Sequence, residues 1–477
     1  MGTPLNLLHN NLHEVSVEGR RLLFHIPSSS LFQLDQISAA VIDLLRQTPD
    51  LSLDRLNTEL AGRFDRDELG ETLAELVAME VVTDGRAVTP EIGVTHVENF
   101  PLNTLVLNVN TGCNLSCTYC YKEDLDTPSA GRKMDFYTAR DSIEMLLRES
   151  PDEPRYNLVF FGGEPLSNLA LIKQVVAYAE QRFEQAGKPV DFTMTTNATL
   201  LNEDTIEFLA EHRFGLSISM DGPQAIHDKN RITVGGQGTY AVVARKAQML
   251  LSRYRSRPVG ARVTLTRGIT DVERIWDHLF NELGFAEVGF APVTSGDIAD
   301  FNLTEAEIAE VFANMKRLGQ RYLEAALEHR NIGFSNMHQL ITDIHEGSKK
   351  ALPCGAGVAM LAVDHSGGLN LCHRFTGSDM ELFGSVEQGI DHQRLSGFLD
   401  QRLDRTNTGC ASCRIRNLCS GGCYHESYAR YEDPTMPTYH YCDLMRDWVD
   451  FGIDVYARIR AQNPDFIDTY ITPRKGH

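Results

Sequence analysis

Cys113, Cys117 and Cys120 fall in one short stretch, Asn110-Thr-Gly-Cys-Asn-Leu-Ser-Cys-Thr-Tyr-Cys-Tyr121. Three thiolates at C-x3-C-x2-C can hold three irons of a cubane [4Fe–4S] cluster and leave the fourth iron without a protein ligand. An open iron can bind a small molecule through its polar atoms. Ferredoxin-type clusters need a fourth cysteine. A zinc knuckle needs four ligands unless its fourth position is catalytic. That zinc site, or three buried cysteines with no metal, is the plain alternative.

Further along, the apolar run 157–161 meets Gly162-Gly163-Glu164-Pro165, which reads as a buried parallel strand ending in a glycine turn. A glycine there lets backbone approach a ligand that a Cβ would block. A β-rich run at 190–195 ends in Thr195-Thr196-Asn197, and Ser219-Met-Asp221-Gly222-Pro223 is followed by His227-Asp228 and Arg231. In this order, after the cysteine triad, these segments resemble the peptide-modifying branch of the radical S-adenosylmethionine (SAM) superfamily. The resemblance implies that Cys113, Cys117 and Cys120 hold the SAM-binding cluster, with Tyr119 as the aromatic before the last cysteine. Gly162, Gly163 and Glu164 would meet the SAM amino group, and Asn197 would close the family's TNG-type strand end, with Ala198 in place of its glycine. Ser219 and Arg231 would contact the ribose and carboxylate. A guanidinium suits a planar carboxylate through its paired donors, although a charge on a solvated turn is the alternative. In the family an electron from the reduced cluster, supplied by an external flavodoxin or ferredoxin-like donor, cleaves SAM to methionine and a 5′-deoxyadenosyl radical. The radical takes a hydrogen from carbon.

Seven cysteines remain: Cys354, Cys372, Cys410, Cys413, Cys419, Cys423 and Cys442. No basic segment followed by an apolar stretch marks a signal peptide, so a cytoplasmic, reducing location is expected and metal binding is favoured over disulfides. The spacing resembles the SPASM domain of radical SAM peptide maturases, which carries two auxiliary [4Fe–4S] clusters and brings the expected total to three. By that resemblance Cys410, Cys413, Cys419 and Cys442 ligate one, and Cys354, Cys372 and Cys423 the one nearer the active site. The segment Cys354-Gly-Ala-Gly-Val-Ala-Met360 lacks the extra cysteine that sulfatase-maturing relatives place there. Either His365, His373 or another side chain caps that iron, or it is open and can hold a substrate thiolate.

These motifs need a scaffold. Strand-like runs at 105–109, 158–161, 192–194, 215–219, 261–266 and 287–291 alternate with helical patterns at 136–148, 171–185, 204–211, 240–254 and 272–283. This α/β alternation predicts a partial (β/α)6 TIM-like barrel over 100–330, with chemistry at the carboxyl ends of its strands. A bridging helix and linker at 331–350, the SPASM region at 351–445 and a C-terminal helix and tail at 446–477 follow. Residues 1–95 read as short strands at 12–17 and 21–26, helices at 36–45, 53–63 and 66–79, and a closing strand at 81–83, a winged-helix-like unit. Seven basic against fifteen acidic residues there, a net of −8, argue against DNA. The unit instead resembles the leader-peptide recognition element of ribosomal-peptide maturases, where a peptide adds a strand to a sheet edge. The whole chain, at −20 with 42% hydrophobic residues, predicts an enzyme with well-filled cores and neither a nucleic-acid nor a membrane partner.

Its expected partner is a substrate peptide or small protein. The overall likeness is to maturases of quinohaemoprotein amine dehydrogenase, which join cysteine sulfur to methylene carbons of Asp or Glu in the small subunit. The alternatives are a sulfatase-type maturase making formylglycine and a non-catalytic iron–sulfur electron carrier. Candidate bases are Asp221, which also suits holding the turn before Pro223, and Asp297, after the sixth barrel strand.

Overall fold

A computed structural model of the chain describes residues 4–85, 96–121, 131–293 and 300–471. Four strands come first: β1 (Asn6–Leu7), β2 (Leu12–Val17), β3 (Arg20–His25) and β4 (Ser30–Gln33). Helices α1 (Gln36–Gln47), α2 (Leu53–Leu60) and α3 (Arg66–Ala78) follow, and β5 (Val82–Thr83) returns to pair with β1. The side chains of Asp35, Ser52 and Asp65 accept backbone N–H groups at the three helix starts, satisfying donors that the first turn leaves unpaired. Strands β2, β3 and β4 form an antiparallel sheet. Strand β4 is absent from the sequence expectation because four residues show too little alternation. The helices close a core of their own around Leu23, Val41, Ile42, Leu56 and Val81.

The barrel follows. Strands β6 (Thr104–Asn110), β7 (Tyr156–Gly162), β8 (Val190–Thr196), β9 (Gly215–Ser219), β10 (Val259–Leu265) and β11 (Glu287–Pro292) pair in parallel in that order. Between them run α4 (Phe136–Glu149), α5 (Leu169–Gln185), α6 (Glu203–Glu211), α7 (Gln224–Asn230), α8 (Tyr240–Arg253) and α9 (Val272–Asp277). Strand β7 shows why they pair so: Tyr156, Leu158 and Phe160 bury against the helices, whereas Asn157, Val159 and Phe161 are half-buried on the barrel side. The edge at β11 is capped. Asn336 accepts from Phe290 N at 2.9 Å and donates to Phe290 O at 3.0 Å, pairing the edge as a strand would.

Helices α10 (Glu305–Leu327) and α11 (Ser335–His345) lead to two strands the sequence did not reveal. Strand β12 (Met360–Val363) lies parallel to β6 on the side away from β7, and β13 (Leu369–Asn370) pairs antiparallel with β12, giving an eight-stranded, mostly parallel sheet. The remaining elements are β14 (Gly384–Ser385), β15 (Gly389–Ile390), α12 (His392–Leu403), α13 (Arg416–Cys419), α14 (Tyr424–Tyr431), α15 (Cys442–Gln462) and α16 (Pro464–Tyr470). Residues of this region, including Leu371, Leu395, Leu399, Trp448 and Ile453, share one continuous core with the barrel helices. The amino-terminal sheet docks on it through His13 and Asp450 at 2.8 Å, Asn417 Nδ2 and Ile26 O at 2.8 Å, and Val17 and Leu22 against Ala457. No helix among the described residues is long and apolar enough to cross a membrane.

Candidate active site

The loop after β6 carries Cys113, Cys117 and Cys120 and is strapped across the barrel mouth. Ser116 N donates to Ile232 O at 2.8 Å, Thr118 N to Asn230 O at 3.0 Å, and Tyr119 Oη to Asp221 at 2.7 Å. The three thiols interact electrostatically with one another. Burial pushes the Cys113 thiol up to about 12 and the Cys117 thiol up to about 11, so without metal both stay protonated at neutral pH. Leu115 N–H at 3.4 Å and Asn197 Nδ2 at 3.8 Å nevertheless point at Cys113 Sγ, donors of the kind that steady a thiolate. Among the described residues no three His, Cys, Asp or Glu side chains converge on a point one ion could occupy. The donor set fits a cluster, in which each thiolate serves a different iron.

The second strand end explains its two glycines. Gly162 has φ +144°, and a Cβ there would stand 2.3 Å from Asn110 O; a Cβ on Gly163 would stand 2.2 Å from Gly112 O. Both glycines are therefore required where β7 meets the cysteine loop, whose carbonyls accept from Gly163 N at 2.7 Å and Glu164 N at 3.1 Å. Glu164 is buried, and its carboxylate accepts from Thr196 Oγ1 at 2.7 Å, Asn197 N at 2.8 Å and Leu166 N at 3.0 Å. It clamps the ends of β7 and β8 together. Burial raises its pKa although those three bonds oppose the shift.

Asn197 reaches Asn114 Oδ1 at 3.0 Å, and the next residue, Ala198, takes φ +65°. A left-handed alanine costs about 1–2 kcal/mol. Glycine would relieve that but would lose a buried methyl worth about 0.8 kcal/mol and free the unfolded chain by about 0.4–1 kcal/mol. Ala198→Gly is expected to change stability by less than about 1 kcal/mol, and Ala198→Val, a branched residue at positive φ, to cost more than about 2 kcal/mol in urea unfolding.

Asp221 joins the strand ends on the far side. It is 1% exposed; Oδ2 accepts from Tyr119 Oη at 2.7 Å and Arg231 Nε at 2.9 Å, and Oδ1 from Thr264 N at 3.0 Å. The Arg231 guanidinium lies over the Tyr119 ring at 5.5 Å. Ser219 ends β9, its backbone in register with Arg262 of β10. Asp297 lies outside the described residues.

The other seven thiols form two groups. Cys372 interacts electrostatically with Cys423 and Cys354, while Cys419 and Cys442 do so with Cys410 and Cys413. His373 packs its ring on Phe161 at 4.3 Å, and His365, in the turn after β12, has a buried Nδ1 with no hydrogen-bond partner among the described residues. Sequence reasoning missed Tyr121. It interacts electrostatically with Cys120 on one side and Cys372 and Cys423 on the other, under the Arg374 guanidinium at 5.0 Å. Only its place directly after Cys120 hinted at this bridging position.

The thiol triad and three further strand ends meet at the carboxyl end of a parallel barrel, and residues 107–280, which carry them, match the model of the radical SAM superfamily. The chain carries a radical SAM domain and is an enzyme. It is 25% identical over 392 residues to the cysteine-type anaerobic sulfatase-maturating enzyme of Clostridium perfringens, a match spanning 74% of this chain and 96% of that protein. The serine-type anaerobic sulfatase-maturating enzyme of Klebsiella aerogenes is 24% identical over 338 residues, 68% of this chain and 80% of that one. Native anSMEcpe with bound AdoMet shares the fold at TM-score 0.64 and 21% identity, over 76% of this chain and 100% of that one. Streptococcus suis SuiB bound to its precursor peptide SuiA shares it at TM-score 0.51 and 14% identity, over 92% and 99%.

Proposed function

We propose that this enzyme modifies a peptide, and that oxidation of a peptidyl Cys or Ser to formylglycine is the reaction supported best. The carrying observation is the similarity to sulfatase-maturating enzymes, which runs through three quarters of the chain and spans nearly the whole of the Clostridium protein. In this reading Cys113, Cys117 and Cys120 hold the cluster that, with SAM, supplies a deoxyadenosyl radical for hydrogen abstraction. Arg231, Ser219 and Asn197 orient SAM, Gly162 and Gly163 let the loop close over it, and Asp221 positions Arg231 and Tyr119. With three donors already on its oxygens, Asp221 is a poor general base. Cys354, Cys372 and Cys423, and Cys410, Cys413, Cys419 and Cys442, are assigned to two auxiliary clusters. We assign the peptide's entry to the β11 edge. There a cavity of about 420 Å3 opens between Arg262 and Glu287 on the sheet, Phe312, Met315 and Trp448 on the helices, and Tyr441 just before α15.

A second reading, thioether formation between Cys sulfur and an Asp or Glu methylene, draws on two observations. Residues 4–85 form a unit with its own core, a candidate leader-binding element, and the SuiB likeness covers 92% of this chain where that to native anSMEcpe covers 76%. The segment after Cys354 also has no further cysteine before Cys372, which suits an iron that binds substrate sulfur. Mass spectrometry of a co-expressed leader-bearing peptide separates the readings. Conversion of a Cys CH2SH to an aldehyde, with sulfur lost as sulfide and oxygen taken from water, or of a Ser CH2OH to an aldehyde by loss of two hydrogens, is expected, while loss of two hydrogens with sulfur retained would shift the assignment to the crosslink. SAM cleavage with no peptide altered by any candidate substrate would defeat both.

A further inference from the structure

Tyr424, the first residue of α14 and the neighbour of Cys423, is 1% exposed, and its hydroxyl has no hydrogen-bond partner among the described residues. Other buried or half-buried tyrosines solve that problem. Tyr156 donates to Ser150 O, Tyr254 to Phe214 O, Tyr119 to Asp221, and Tyr322 meets His338 Nδ1. A buried hydroxyl without a partner costs about 1–3 kcal/mol and in native proteins generally has a specific reason. The groups whose charge this phenol feels are Cys354, Arg402, Cys423 and Cys372. Arg402 cannot accept a hydrogen bond. Its guanidinium stands over the Tyr424 ring at 5.2 Å and donates to Gly422 O at 2.8 Å and Thr435 O at 3.0 Å. Of these charged neighbours, the three thiols are the ones able to accept a hydrogen bond.

We infer that Tyr424 donates its hydroxyl to a sulfur of the cluster held by Cys354, Cys372 and Cys423, and so tunes that cluster as an electron acceptor. The inference rests on reading those cysteines as cluster ligands. Adding an electron to an iron–sulfur cluster increases negative charge on its sulfurs, and a hydrogen bond to sulfur stabilises the reduced state. Arg402, fixed over the ring, strengthens the donor by drawing electron density from the phenol. Hydrogen abstraction leaves a substrate radical that must lose one electron to reach an oxidised product, and a cluster poised by Tyr424 can take it. Tyr424 is thus a positioning and tuning residue that acts through the cluster.

The test is Tyr424→Phe in the reconstituted holoenzyme, read by iron and sulfide content and by potentiometric titration with electron paramagnetic resonance. Iron and sulfide should match wild type, the signal from the Cys113, Cys117 and Cys120 cluster should keep its midpoint, and one auxiliary midpoint should fall. A tenfold weaker reduction equilibrium reads as a shift of about 59 mV for a one-electron couple. All midpoints unchanged at full iron content would overturn the inference. Loss of one cluster's iron would overturn it differently, by making Tyr424 a ligand. A variant lacking Cys113, Cys117 and Cys120 that binds no iron at all would instead remove the auxiliary-cluster reading itself.

Discussion

Replacing Cys113, Cys117 or Cys120 with alanine is expected to reduce reductive SAM cleavage to background while iron in the carboxy-terminal region is largely retained. Each thiolate would serve a different iron, and no backbone or side-chain group in the strapped loop can take over a lost position. The loop should survive the change. It is held by Ser116, Thr118 and Tyr119 bonding to Ile232, Asn230 and Asp221, none of which uses a cysteine sulfur. Loading the site must also expel protons from thiols whose burial holds them up to about 12 and about 11, so cluster assembly should improve as pH rises toward that range. Anaerobic assays of deoxyadenosine release, with iron content measured on the same samples, check the prediction. Cleavage at the wild-type rate in any one variant would sink the assignment of this loop.

The barrel was legible because parallel strands buried by helices read as apolar runs, and because glycine and polar residues interrupt those runs where the strands end. Nothing comparable marks β12. Its four residues, Met-Leu-Ala-Val, become a strand only because Thr104 to Leu107 offer an unpaired parallel edge; this is tertiary context overriding a pattern too short to carry information. Individual site residues were harder. Gly162 and Gly163 signalled close approach, yet the atoms they make room for belong to Asn110 and Gly112 as well as any ligand. Asp221 read in sequence as a rim carboxylate, a candidate base that also suited holding the turn before Pro223. Its three donors come from Tyr119, Arg231 and Thr264, 102, 10 and 43 residues away, a separation no local pattern encodes.

Arg231→Met should produce the largest loss of stability of any single change at the site. The guanidinium is 9% exposed and the Asp221 carboxylate 1%, so removing the cation leaves a carboxylate buried with two neutral donors. Breaking a buried pair in this way costs about 3–5 kcal/mol, far more than the pair contributes relative to neutral packing. The converse change, Asp221→Asn, leaves an uncompensated guanidinium but keeps a polar amide for Tyr119 and Thr264, and should cost somewhat less. The double variant has no orphan charge and keeps the amide close to the carboxylate's shape. Its loss should fall short of the sum of the two singles by about 1–3 kcal/mol, the coupling measured for residues in one network. Urea unfolding of all four proteins gives that coupling, and additive losses would show that the two side chains do not act as a pair. SAM affinity then separates scaffold from contact. If Arg231 also meets the SAM carboxylate, the double variant regains its fold but not its affinity for SAM, because methionine offers no donor to that anion. Affinity that returns together with stability would confine Arg231 to holding the loop.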